Sequence, residues 1–142
     1  MWIKIFSCVA LLTLLILSGC DKDPVPTPEE LYLKKLTSFW KIKSASVDDK
    51  DVLNHFNGLA LQIKGDYTYL VTNPVTGLWP ASGTFELEQI SDENFAIRRD
   101  DGVLISVSTL SESELKMKFQ YSAPANGRVN SVGGQYEFNF TK

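Results

Sequence analysis

The sequence predicts an all-β domain, an eight-stranded up-and-down antiparallel barrel entered through one short N-terminal helix. Three observations carry this. From Trp40 onward apolar residues recur at every second position, the period of a strand with one buried face. Short polar or glycine-bearing turns separate these runs, so consecutive runs pair antiparallel. A meander whose strands each have one apolar side buries that side, and loses its exposed edges, by closing on itself. A two-sheet sandwich of the same strands is the alternative closure.

The chain opens with Lys4, the apolar run Ile5 to Leu17, and the small residues Ser18 and Gly19, which is the layout of a secretory signal peptide. The run is about 13 residues long, short of the roughly 20 that a spanning helix needs. Leu17-Ser18-Gly19-Cys20 resembles the bacterial lipobox. That resemblance implies cleavage before Cys20 and lipidation of its thiol, so that the membrane is a partner through Cys20. The expected division is residues 1–19 as leader, 20–28 as a lipid-anchored tether and 29–142 as the barrel domain.

Asp21 to Pro28 reads DKDPVPTP, with three prolines and no apolar period. In polyproline II form it spans roughly 20–25 Å. Thr27-Pro28-Glu29-Glu30 then has the pattern of a helix start, with Thr27 at the N-cap, Pro28 in the first turn and Glu30 as capping-box partner. The helix is expected to run to about Thr37 and to bury Leu33 and Leu36. The strands follow at Trp40 and Ile42, Leu59 to Ile63, Tyr67 to Val71, Phe85 and Leu87, Phe95 and Ile97, Ile105 and Val107, Leu115 to Tyr121, and Tyr136 to Phe140. Gly65-Asp66 and Asp101-Gly102 read as two-residue turns, and Ser111 to Ser113 as a short polar one. In a meander alternate loops share an end. The long loops Val47 to Gly58, Thr72 to Ser82 and Ser122 to Gly133 therefore gather at one end, with the helix at the other.

Composition narrows the function. Without the leader the net charge moves from −3 to near −4, and no basic patch is present, which disfavours nucleic acid as a partner. Cys8 lies in the leader and Cys20 at the lipid, so the domain has no thiol for a disulfide, a metal or a nucleophile. His55 is the single histidine, and no Gly-x-Ser-x-Gly elbow accompanies it. It reads as a loop residue. Asp48, Asp49 and Asp51 cluster, but counting from Asp48 the sixth and twelfth positions hold Leu53 and Leu59 where a calcium loop needs glycine and glutamate. Glu86 and Glu88 share the polar face of one strand, where no pocket forms, and with Glu93 they make a poor acid pair. No enzyme, metal or cofactor is expected.

The aromatics are the binding candidates. Trp79, in Gly77-Leu78-Trp79-Pro80, is placed on a long loop at the rim, as an exposed ring. Tyr67, Tyr69, Phe85, Phe119, Tyr121, Tyr136 and Phe138 are expected to point inward, where eight strands leave room for packed side chains or one small ligand. Arg128, flanked by Asn126 and Asn130 on the last long loop, is the candidate polar contact.

A helical turn, a tryptophan early in the first strand, eight meandering strands and a closing Gly-Gln-Tyr-Glu-Phe-Asn-Phe strand together resemble the lipocalin-like domains. The likeness is strongest to the small lipocalin-like lipoproteins of Bacteroidetes and covers roughly Leu36 to Lys142. The family's Gly-x-Trp reads Ser38-Phe39-Trp40 here, with serine in place of glycine. The resemblance implies a barrel whose open end takes a small apolar ligand. The expected function is thus an envelope lipoprotein of the outer membrane, on its periplasmic face or the cell surface, binding a small hydrophobic or amphipathic molecule at its long-loop end. The alternative is an envelope protein-interaction module with a barrel filled by side chains.

Overall fold

The computed structural model describes residues 23–123 and 132–142. Among them one helix, α1 (Pro28–Leu36), precedes the strands β1 (Ser38–Val47), β2 (Lys50–Asp51), β3 (Ala60–Ile63), β4 (Thr68–Thr72), β5 (Ser82–Ser91), β6 (Asn94–Arg99), β7 (Leu104–Leu110), β8 (Glu114–Tyr121) and β9 (Gly134–Thr141). A single-turn 3-10 helix covers Leu53–Phe56. Strands β1 and β3 to β9 pair antiparallel in chain order, and β1 then pairs with β9, so the sheet closes into an eight-stranded barrel. The two-residue β2 hairpins onto the end of β1 and stays outside the closure. Within the expected first long loop, then, the chain forms a hairpin and a helical turn.

The helix forms where its caps place it. Thr27 takes a hydrogen bond from the Glu30 N–H, and Glu30 takes one from the Thr27 N–H, a reciprocal box that satisfies two otherwise unpaired donors. Tyr32, Leu33 and Leu36 form its buried stripe. The helix sits at the end of the barrel that carries the short connections. Tyr32 donates to the Phe95 carbonyl, and the Trp40 indole N–H donates 2.8 Å to the Leu36 carbonyl. Lys142 lies 5.0 Å above the fully buried Trp40 ring, so a cation covers this end from outside.

Strand alternation is kept through irregularities. A register shift between Ile42 and Ser44 lets β1 bury Trp40 before it and Ala45 after it. The two turns read as two-residue loops are each one residue longer. Lys64 N–H bonds to the Thr68 carbonyl, enclosing Gly65, Asp66 and Tyr67. Asp66 accepts from the Thr68 backbone and hydroxyl, and Tyr67 takes the left-handed conformation at φ 62°. Arg99 N–H bonds to the Val103 carbonyl, enclosing Asp100, Asp101 and Gly102, with only Gly102 at positive φ. A left-handed glycine closing a three-residue loop is the next commonest hairpin form after the two-residue turns.

Candidate functional site

The long-loop end of the barrel is where the sequence placed a ligand. The loop between β4 and β5 rolls inward there instead of standing open. Asn73 and Gly77 take positive φ, and the Leu78 and Trp79 N–H groups both bond to the Val75 carbonyl. This turn drives Leu78 and Trp79 into the mouth, where they are 0 % and 3 % exposed. Trp79 is therefore not the exposed rim ring expected of it. Pro80, its neighbour, stays outside. The physical reason is that the turn at Gly77 lets an apolar Leu-Trp pair bury more surface against the strands beneath the loop than on the rim.

Trp79 packs edge-on against Phe119 at 5.4 Å and nearly parallel to Phe138 at 5.9 Å. Arg99 lies 5.0 Å over its ring. Arg99 is itself 3 % exposed, a buried cation whose three nitrogens each have an acceptor. Its Nε donates 3.0 Å to Asp101 Oδ1, its Nη2 donates to Asp101 Oδ2, and its Nη1 donates 3.2 Å to the Leu78 carbonyl. One guanidinium so ties the β6–β7 turn to the inward loop. For the Asp101 carboxyl, burial pulls upward, but the Arg99 hydrogen bond and charge with the Val103 N–H outweigh it and hold the group below its ordinary value of 3.8. Arg99 follows Phe95 and Ile97 on the same period-two face, with an aspartate two residues on. That spacing is the signal that finds it.

The expected ligand residues divide into three groups. Trp79, Tyr69 and Phe85 meet around one void with Leu61, Ile63, Ile97, Arg99, Ile105 and Met117. Its volume is about 10 Å³. Space of that size holds one water at most. The Tyr69 hydroxyl and the Trp79 indole N–H have no hydrogen-bond partner among the described residues. Burial, opposed by the Arg99 charge, keeps the Tyr69 hydroxyl protonated above its ordinary value. A second group, Phe119, Tyr121 and Tyr136, packs along β8 and β9, with Phe119 and Tyr136 parallel at 5.6 Å and Tyr121 edge-on to Tyr136 at 6.4 Å. Tyr136 donates 2.6 Å to the Val132 carbonyl. Phe56, on the 3-10 helix, closes this cluster at 4.9 Å from Phe138. Tyr67 touches the first group only through Phe85. It lies at the helix end, half-buried, donating 2.7 Å to Glu29 and packed on Phe85. Arg128 and Cys20 lie outside the described residues.

The remaining candidates occupy ordinary surroundings. His55 is exposed. Asp48 accepts from the Gln135 N–H and Asp51 from the Leu53 N–H, each closing a loop. Glu88 pairs with Arg98 across the outer face. Among the described residues no three His, Cys, Asp or Glu side chains are grouped to hold a metal ion. Comparison with protein-family models, curated proteins and solved structures finds no match.

Proposed function

We propose that this chain is a lipid-anchored protein of the bacterial cell envelope that acts through its outer surface, as an interaction module built on a filled barrel. The observation that carries the reading is the 10 Å³ void beneath Trp79. A small-molecule site of the usual kind has about 300–1,000 Å³, and here the aromatic side chains occupy that space. The proposed anchor is the lipidated Cys20, which the proline-bearing stretch Asp21 to Thr27 joins to α1 in sequence. Neither a reaction nor a cofactor belongs to the proposal.

A second reading keeps a small hydrophobic or amphipathic ligand at the long-loop end. The unpartnered Tyr69 hydroxyl and Trp79 N–H favour it, because each is a buried polar group left for a ligand's polar end to bond. One experiment separates the two. The full chain is purified from membranes of its producing cell, examined by native mass spectrometry and titrated with a fluorescent fatty acid. The interaction reading expects the mass of the acylated chain alone and no saturable probe binding. A co-purifying lipid, or probe binding that is lost in Trp79→Ala, would replace it with the carrier reading. A Cys20→Ser chain that still partitions with membranes would remove the anchor.

A further inference from the structure

The barrel wall has one seam that closes only in part. β6 and β7 are paired at Ile97↔Ile105 and Arg98↔Leu104, and their ladder ends there. Toward the helix end the pairing lapses, and α1 packs on the β6 side through Tyr32 and Phe95. Hydrogen-bonded positions alternate along an antiparallel pair. Since the Arg99 N–H bonds to the Val103 carbonyl, the positions joined to β6 run 103, 105, 107 along β7. The next partner of Val107 would be Phe95, but the Phe95 carbonyl takes the Tyr32 hydroxyl instead, at 3.0 Å. Beyond Ile105 the β6-facing edge of β7 thus has no strand partner among the described residues.

That edge borders a groove of about 360 Å³. One wall is the helix, through Pro28, Leu31 and Lys35; the other is Val107 to Leu110. Leu31 is 48 % exposed over it, the lone large apolar side chain of α1 left in solvent. Lys35 and Glu93 stand on its rim, and neither forms an ion pair among the described residues. In its pairing with β8, β7 shifts register between Val107 and Thr109, which bends the strand beside the groove.

We propose that this groove takes an extended peptide segment of a partner protein, added to β7 as a strand alongside Val107 to Leu110, with Leu31 against an apolar side chain and Lys35 and Glu93 against opposite charges. The inference rests on the interaction reading above and names its surface. An unpaired strand edge is satisfied by extended main chain, and four residues of strand span about 13 Å. The two opposite charges of the rim, Lys35 and Glu93, suit a segment carrying both signs.

A phage library of random eight-residue peptides, panned on the full chain in detergent, tests it. The selected peptides are then made with N-methyl groups at odd or at even positions. Strand addition expects one set to lose binding at least tenfold and the other to keep it, because only alternate N–H groups face β7. Ser108→Lys, at an exposed edge position, should weaken the peptides at least tenfold while the melting temperature holds. Val107→Pro, which removes the edge donor, should do the same; should it fail to fold, Leu31→Asp takes its place. The inference falls if no peptide is selected, if both methylated sets bind alike, if the variants leave binding unchanged, or if the same substitutions abolish a concentration-dependent dimer of this chain instead. A lipid in the lumen would defeat the preceding reading and leave the peptide result standing. A barren panning with an empty lumen would defeat only this one.

Discussion

Arg99 shows how much a single buried charge organises. Taking a guanidinium out of water is costly, and the cost is offset only when its donors are filled with good geometry. Asp101 and the Leu78 carbonyl give each of its nitrogens an acceptor, and the cation lies over the Trp79 ring. Removing the carboxylate leaves the cation buried and unpaired. Asp101→Asn should therefore cost about 2 kcal/mol in urea unfolding at neutral pH, below the 3–5 of a fully buried pair because Asp101 is partly exposed. The pH dependence has a definite sign. A carboxyl held below 3.8 in the folded state adds stability that is complete above that value and is lost as pH falls through the lower, folded one. The wild type should thus lose stability below about pH 4 more steeply than Asp101→Asn, as followed by circular dichroism.

Among the elements, α1 and the strands were legible for different reasons. Thr27, Pro28 and Glu30 form a local code that needs no tertiary context, and the capping box stands where that code put it. Thr27→Ala should cost about 1 kcal/mol in chemical denaturation, the usual worth of such a cap. The runs of β8 and β9 were equally plain, since Leu115 to Tyr121 and Tyr136 to Phe140 alternate without interruption and bury their apolar sides. The connections were not. Tyr67 continues the apolar alternation of β4, yet its backbone belongs to the turn, where a contact with Glu29 from far along the chain holds it. Trp79 failed for a related reason. An aromatic in a loop folds inward or outward according to what lies under the loop, and Phe119, Phe138 and Arg99 come from three other strands. Period-two counting reaches Arg99 but carries no information about the indole it meets.

At the scale of the whole molecule the aromatic filling makes the barrel a poor host for ionised tyrosine. Burial pushes the Tyr32 hydroxyl up to about 12, and burial likewise raises Tyr69 and Tyr136, while Tyr67 is raised first by its bond to Glu29. A phenol that ionises later in the folded than in the unfolded chain contributes stability that is complete below pH 10 and is lost as pH climbs toward the folded value. Ultraviolet titration at tyrosinate wavelengths should show most of the signal appearing above pH 10, coincident with loss of the near-ultraviolet dichroism. A gradual rise centred on pH 10 with the fold intact would contradict the buried placement.

The pairing of Lys41 with Thr141 has a kinetic meaning. The first strand of the wall waits for the last, so the ring cannot shut until β9 is available. Chains dominated by such distant pairings fold in milliseconds to seconds, where helical bundles take microseconds to milliseconds. Until β9 arrives, β1 carries an open rim on one side, and a nascent or truncated chain is at its most sticky in that interval.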